Sequence, residues 1–169
     1  MTRFGWVMAT YTSTLAIGIS SLFHPAPKLL WNASASAPIG LYAVRPAGRL
    51  QAGELLVVKP PEPLASFLAA RRYLPSGVPL IKHVVALPGQ RICRAGDVIT
   101  VDGAAIGQAL DRDRRGRPLP VWRGCRVVAL GEVFLMNRAP DSLDGRYFGP
   151  LPVTDIVGRA EPIWLRREH

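Results

Sequence analysis

The chain has 169 residues, of which 49% are hydrophobic, and it contains 16 glycines and 16 prolines. This composition excludes a disordered protein and suits one compact domain that is rich in short strands and turns. The formal net charge of +9 comes almost wholly from arginine, but no helix-turn-helix, zinc-finger or RNA-binding pattern is present, so we expect no nucleic-acid partner.

An uncharged and mildly apolar run begins the chain. It extends from Phe4 to Phe23 and contains 20 residues, about the length that crosses a bilayer at roughly 1.5 Å per residue. The run predicts a single transmembrane helix within an N-terminal anchor of residues 1–24, followed by one domain of residues 25–169. A cleaved signal peptide is the alternative, with Ala33-Ser34-Ala35 or Ala35-Ser36-Ala37 as its cleavage site.

A stretch of small residues follows, from Asn32 to Tyr42, and its sequence is NASASAPIGLY. Pro38 and Gly40 indicate a turn of the backbone, because proline restricts φ and glycine adopts conformations closed to other residues. Ser36, two residues before this proline, is the candidate nucleophile. A simple linker is the alternative interpretation, since a serine hydroxyl reacts only when a neighbouring base takes its proton.

The base for this serine is expected to be either a histidine or a lysine. The segment from Pro79 to Leu87 predicts a mostly buried strand, in which side chains alternate between two faces. Lys82 shares its face with aliphatic side chains, which would lower the pKa of its amine, whereas His83 lies on the opposite face. Lys82 would form a dyad with Ser36, and His83 would form a triad with an added acid. A lysine that extends to solvent is the third possibility.

The remaining elements predict a mainly β domain with one short helix. A strand at Gly53–Lys59 precedes the helix, which extends from Pro61 to about Arg72, and Asp102-Gly103 predicts a tight turn. The other predicted strands are Arg91–Cys93, Val98–Val101, Cys125–Leu130, Glu132–Met136 and Asp155–Leu165.

Basic residues cluster between Arg112 and Arg126. The part from Asp111 to Arg117 lacks apolar periodicity and predicts a solvated loop, with contact to a membrane surface or an acidic partner as the alternative. Cys93 and Cys125 are too few for a zinc site without added ligands, but they could pair in an oxidising compartment. No cluster of residues has metal-ligand spacing, so we expect no metal and no cofactor.

A polar stretch from Asn137 to Gly149 lies between two predicted strands. Asp144 and Arg146 are two residues apart and could form an ion pair, and Ser142 could hold a lysine amine in position. A plain loop is the alternative interpretation.

Three blocks in this order resemble the signature boxes of bacterial type I signal peptidases. They are S-x-S-x-P-x-G-L-Y at Ser34–Tyr42, I-K-H-V-V-A-L-P-G at Ile81–Gly89 and S-L-D-G-R-Y-F-G at Ser142–Gly149. The form of the first block, the single anchor and the short chain are most similar to the conjugative-transfer branch, the TraF peptidases. The resemblance implies a compact signal-peptidase-like β domain.

The same resemblance assigns roles to six residues. They are Ser36 as nucleophile, Lys82 as general base, Ser34 as an oxyanion donor together with the Ser36 amide, Ser142 as a residue that orients the lysine, and Asp144 with Arg146 as a structural ion pair. The chain departs from the common pattern in four places. They are Ala37 in place of Met, His83 in place of Arg, Gln90 in place of Asp, and Gly145, where housekeeping members usually have Ser.

The function implied by the resemblance is that of a serine endopeptidase anchored in the inner membrane, with its catalytic domain in the periplasm. Its substrate would be an exported precursor, in particular a pilin subunit of a conjugative type IV secretion system, and components of that apparatus are further possible partners. The product could be linear or cyclic. A housekeeping signal peptidase and a non-enzymatic periplasmic assembly protein are the alternatives.

Overall fold

The computed structural model of the protein describes residues 2–22 and 28–166. Within this part of the chain, eleven strands form two antiparallel sheets, which confirms the mainly β prediction. The strands are β1 Leu29–Asn32, β2 Gly40–Arg45, β3 Leu55–Val58, β4 Leu80–Ala86, β5 Arg91–Ala95, β6 Val98–Val101, β7 Ala104–Gln108, β8 Gly124–Val127, β9 Glu132–Met136, β10 Leu151–Pro152 and β11 Ile156–Leu165. The helices are α1 Arg3–Leu22, α2 Leu64–Ala70 and α3 Gly145–Phe148, and one 3-10 turn covers Val153–Asp155.

The larger sheet has seven strands in the order β1-β2-β11-β3-β4-β9-β10, and the smaller sheet has four in the order β7-β6-β5-β8. The last strand of the chain, β11, lies between β2 and β3. The strand β11 therefore connects the β1–β2 hairpin, whose loop contains the small-residue stretch, to the strand pair β3–β4. The hairpin and the strand pair are held in one sheet because each of them pairs with β11.

Three apolar clusters of the core support the site. Helix α2 packs Leu64 and Leu68 onto β3, β4 and β9. A second cluster joins Ile92 and Ile99 of the smaller sheet to Phe134 of the larger one. The third lies beneath the loop between β1 and β2, and its buried members are Ala37, Tyr42, Val57, Ile81 and Ala160. The loop that carries the candidate nucleophile thus packs against a buried apolar cluster.

The predicted Asp102-Gly103 turn joins β6 to β7 as a two-residue hairpin loop, with Val101 opposite Ala104. Both turn residues have positive φ, 49° and 87°, as a type I′ turn requires. The predicted helix is shorter than expected, because it begins at Leu64 and ends at Ala70. Arg72 follows it with a φ of 57°, which breaks the helical path. The strands β1, β2, β7 and β10 were not predicted.

Helix α1 covers most of the predicted anchor and exposes large apolar side chains such as Phe4 and Ile17. In the part of the chain that the structure describes, no helix is both long and apolar enough to cross a membrane. The transmembrane prediction is therefore not confirmed. Phe23, the last residue of the apolar run, and the predicted domain boundary between residues 24 and 25 lie outside the described residues.

Candidate active site

The loop from Ala33 to Ile39, between β1 and β2, is held in shape by one buried side chain, that of Asn32. Its Nδ2 donates to the carbonyl oxygens of Ser34 (3.0 Å), Ala37 (3.1 Å) and Pro38 (3.0 Å), and its Oδ1 accepts from the Ser34 N–H (3.0 Å). A single amide thus makes four hydrogen bonds to the backbone of a tight loop, and the Pro38 carbonyl also accepts from the Tyr42 hydroxyl. Asn32 is the first residue of the small-residue stretch from Asn32 to Tyr42, and the sequence pattern did not indicate its role in holding the loop.

The two serines of this loop contact one another. The Oγ atoms of Ser34 and Ser36 are 3.0 Å apart, and the Ser36 N–H donates to Ser34 Oγ at 3.3 Å. Ser36 is half-buried and Ser34 is exposed. The hydroxyl and the amide that the resemblance implies as oxyanion donors are therefore hydrogen-bonded to one another, and the amide must turn from Ser34 Oγ to donate to an oxyanion.

Lys82 is buried in β4, with 4% of its surface exposed. Its Nζ donates a hydrogen bond of 2.7 Å to the Oγ of Ser142, a buried residue 60 positions away in sequence. Burial lowers the pKa of the amine from 10.5 to about 8, and the negative charge of Asp144 opposes this shift. At pH 7 an amine with that pKa is neutral in roughly one molecule in ten, which is enough for a general base.

Two clefts meet at Ser36. The first, which we call the Lys82 cleft, has a volume of about 340 Å³, and both Ser36 and Lys82 line it. Within the described part of the chain, Lys82 Nζ donates to Ser142 and makes no hydrogen bond to Ser36. Catalytic hydrogen bonds are often long in an enzyme without substrate and shorten when substrate binds. The structure thus brings the two candidate residues into one cleft without a hydrogen bond between them.

His83 lines the second cleft, the His83 cleft, which has a volume of about 780 Å³ and which Ser36 also lines. The ring Nδ1 lies 3.0 Å from Oδ1 of Asn137. The Asn137 Nδ2 donates to the Ile81 carbonyl at 2.9 Å, so the amide must present its oxygen to the histidine. The ring Nδ1 is therefore the donor, and no carboxylate among the described residues supports His83 as the base of a triad.

Asn137 also fixes the strand on either side of Lys82. Besides its bond to the Ile81 carbonyl, its Oδ1 accepts from the His83 N–H at 3.1 Å. Its own N–H donates to Asp144 Oδ2 at 3.0 Å. Asn137 directly follows β9, and its side chain thus continues the pairing of β9 with β4 beyond Met136. The sequence did not indicate this role, although this residue begins the predicted polar stretch.

The Asp144–Arg146 pair holds the loop that carries Ser142. Arg146 Nη2 lies 2.8 Å from Asp144 Oδ2, and Nε donates to Oδ1 at 2.9 Å. The side chains are 3% and 0% exposed, so the ion pair is fully buried. The same guanidinium donates to the carbonyl oxygens of Ala139 (2.7 Å) and Ser142 (3.2 Å). The hydrogen bonds compensate for burial of the two charges and fix the backbone beside the lysine.

Gly145 has a steric reason to lack a side chain. A Cβ at this position would lie 2.5 Å from the ring of Phe134 and 2.8 Å from the Leu135 carbonyl oxygen. The Gly145 carbonyl accepts from Trp122 Nε1 at 3.0 Å, and the two aromatic rings pack edge to face. The Phe134 ring therefore occupies the space that a serine side chain at position 145 would need. This contact explains why glycine stands here, where housekeeping members usually have serine.

The other residues singled out in the sequence lie away from these clefts. Cys93 and Cys125 are opposite one another on β5 and β8 and are joined by a disulfide, with their Cα atoms 4.0 Å apart. The Asp111–Arg117 segment is mostly exposed, as a solvated loop is. Its shape is held by Asp113, which accepts from the backbone N–H groups of Arg115 and Arg117 and pairs with the Arg117 side chain.

Comparison with known proteins gives consistent matches. The profile of the family described as signal peptidase, peptidase S26, matches residues 1–165. The conjugal transfer protein TraF of Agrobacterium fabrum is 39% identical over 144 residues, which cover 79% of this chain and 80% of that protein. The probable conjugal transfer protein TraF of Sinorhizobium fredii is 35% identical over 166 residues, 92% of this chain and 86% of that protein. A signal peptidase I structure from Enterococcus faecalis is 16% identical, with a TM-score of 0.39, over 67% of this chain and 97% of that one.

Proposed function

The chain belongs to the signal peptidase family, peptidase S26, and from this membership we propose that it is a serine endopeptidase in which Ser36 is the nucleophile and Lys82 the general base. The observation that carries the proposal is the buried amine of Lys82 in a cleft that Ser36 also lines. Only a neutral amine accepts a proton, and burial brings its pKa to about 8.

In the proposed reaction, the neutral Lys82 amine takes the proton of the Ser36 hydroxyl, whose oxygen attacks the carbonyl carbon of the scissile peptide bond. The Ser34 hydroxyl and the Ser36 N–H donate to the oxyanion, and each such donor is worth about 3 to 4 kcal/mol in other serine proteases. The C–N bond then breaks, and Lys82 passes its proton to the leaving nitrogen. An ester between Ser36 and the substrate remains.

The second step releases this ester. Water, or an amine of the substrate itself, attacks the acyl carbon while Lys82 accepts the proton of the attacking group, and the C–O bond to Ser36 breaks. Lys82 returns the proton to the serine oxygen, so the enzyme is regenerated. Water gives a linear product, whereas an amine of the same substrate gives a cyclic one.

The substrate that we propose is an exported precursor of a conjugation apparatus, in particular a pilin subunit. This proposal rests on relatives that are named conjugal transfer proteins and are 35% to 39% identical to this chain over the aligned residues. We also propose that α1 holds the protein at the inner membrane with its catalytic domain in the periplasm. Its exposed apolar side chains favour contact with lipid, and the Cys93–Cys125 disulfide fits an oxidising compartment. Carbonate extraction and protease treatment of spheroplasts test this topology.

A serine-directed activity probe tests the catalytic proposal. We expect a fluorophosphonate to label the full-length wild-type protein, and we expect no labelling of Ser36→Ala or Lys82→Ala. Lys82→Arg should be equally unreactive, because guanidinium stays protonated at any usable pH. A His83→Ala variant is the matched control in the neighbouring residue and should still be labelled. Labelling that persists in Ser36→Ala contradicts the assignment, and an unlabelled wild-type protein favours an assembly protein without enzymatic activity.

A strain that carries the Ser36→Ala variant in place of the wild-type gene distinguishes a conjugative peptidase from a housekeeping signal peptidase. Proteomics of exported proteins should then detect one or a few uncleaved precursors. Accumulation of many unrelated secretory precursors would indicate a general signal peptidase instead.

A further inference from the structure

The two clefts at Ser36 differ in size and in the character of their walls. The Lys82 cleft, at about 340 Å³, is less than half as large as the His83 cleft, at about 780 Å³. Apolar side chains line much of the Lys82 cleft, among them Leu30, Trp31 and Ile81. The His83 cleft also has apolar lining residues, such as Ile106 and Met136, but His83, Asn137 and Arg138 add polar and charged groups to its wall.

Arg138 brings a free positive charge to the His83 cleft. Its side chain is exposed, and its guanidinium has no hydrogen-bond or ion-pair partner among residues 2–22 and 28–166. The residues that line this cleft include no aspartate or glutamate. By contrast, the guanidinium of Arg146, in α3, donates to Asp144 and to backbone carbonyl oxygens of the protein. The charge of Arg138 is therefore available to a ligand.

Because Ser36 lines both clefts, a peptide that is cut there can extend into one cleft on each side of the scissile bond. Sites of the signal-peptidase type carry small residues before the cut, and such residues fit the smaller, apolar Lys82 cleft. The residues after the cut then enter the larger cleft, where the exposed Arg138 guanidinium can meet them.

We propose that the His83 cleft binds the substrate segment that follows the scissile bond and that Arg138 selects an acidic side chain within its first residues. This inference rests on the proposed peptidase function and adds a substrate preference to it. His83 and Asn137 shape the wall of the cleft, and Arg138 supplies the charge. An acidic side chain opposite Arg138 forms an ion pair, whereas a lysine at the same place is repelled.

The expected preference is moderate because Arg138 is exposed. Ion pairs at exposed sites change affinity by about threefold relative to a neutral partner. Repulsion of lysine acts in the opposite direction, so kcat/KM for a glutamate peptide should exceed that for the matching lysine peptide by about tenfold. Added salt should reduce this ratio, since charges at exposed sites are screened.

A cleavage survey with a mixed peptide library tests the inference. The full-length protein in detergent is incubated with peptides made from a bacterial proteome, and mass spectrometry identifies the cuts that are absent with Ser36→Ala. We expect enrichment of Asp and Glu within the first three positions after the cut. Arg138→Gln should remove the enrichment, and Arg138→Glu should replace it with Lys and Arg.

Arg115→Gln is the matched control. Arg115 is also an exposed arginine, but it does not line the His83 cleft, so its removal changes the net charge equally and should leave the enrichment in place. Thermal unfolding checks that all variants are folded. Cuts without an acidic bias, a bias before the cut, or a bias that survives Arg138→Gln would overturn the inference alone. Absence of any Ser36-dependent cut would instead refute the proposed function on which it rests.

Discussion

Replacement of Lys82 by methionine should change the pH dependence of stability, because the wild-type protein buries an amine that prefers to be charged. Methionine has a similar length and no charge. At pH 7 the wild-type amine is mostly protonated in both the folded and the unfolded state, and the folded state bears the cost of its burial. One pKa unit corresponds to about 1.4 kcal/mol, so the fall from 10.5 to about 8 means a cost of about 3 kcal/mol.

The sign follows from proton binding in the two states. Between pH 8 and 10.5 the folded protein has released the Lys82 proton while the unfolded chain still holds it. Since the unfolded state binds more protons there, the free energy of unfolding of the wild type rises with pH. Lys82→Met lacks this titration. The stability of the wild type relative to Lys82→Met should therefore increase by about 2.5 kcal/mol from pH 7 to pH 10.

Urea unfolding of the full-length proteins in detergent, followed by tryptophan fluorescence, measures the two free energies at each pH. The difference between the proteins matters more than either curve, because other groups titrate in both. Lys82→Met also leaves the Ser142 hydroxyl without its partner. This loss lowers the free energy of unfolding of the variant by about 1 to 3 kcal/mol, by the same amount at every pH. Lys59→Met, at an exposed lysine, is the matched control and should follow the wild type in parallel.

The rate of labelling by a fluorophosphonate gives a second measure of the same pKa. If neutral Lys82 activates the nucleophile, the rate should rise about tenfold per pH unit below pH 8 and become constant above it. Parallel stability curves for wild type and Lys82→Met from pH 7 to 10 would refute the reasoning. They would mean that burial does not lower the pKa of this amine.

Three further substitutions test the supports of the site. Asn32→Ala should slow probe labelling by about a hundredfold, because the nucleophile loop loses the four hydrogen bonds that this amide makes and the hydroxyl moves. An unchanged rate would contradict this role. Gly145→Ala should lower the free energy of unfolding by about 1 to 3 kcal/mol, since the new Cβ overlaps the Phe134 ring, and Phe134→Leu in the same chain should restore part of it. Asp144→Asn should lower the free energy of unfolding by about 3 to 5 kcal/mol, because Arg146 stays charged and buried without its counter-charge. A decrease below about 1 kcal/mol in urea unfolding would show that the pair is not needed.

The sequence alone determined the features that depend on near neighbours. The Asp102-Gly103 hairpin follows from turn residues that tolerate positive φ. The buried strand around Lys82 follows from a run of apolar residues of strand length, and alternation along it predicts that Lys82 and His83 line different clefts, as they do. The three ordered motifs placed the chain among the signal peptidases, and its membership of that family is confirmed.

Only the tertiary structure decided which distant residues meet. Lys82 and Ser142 are 60 positions apart and touch because β9 pairs with β4 and delivers the following loop to the lysine. No local pattern could show that Asn32 and Asn137 hold the two halves of the site, since an asparagine before a turn looks the same whether its amide faces solvent or four backbone groups. Strand order is set by burial of apolar faces across the whole chain, and so the shape of the candidate site depended on the fold.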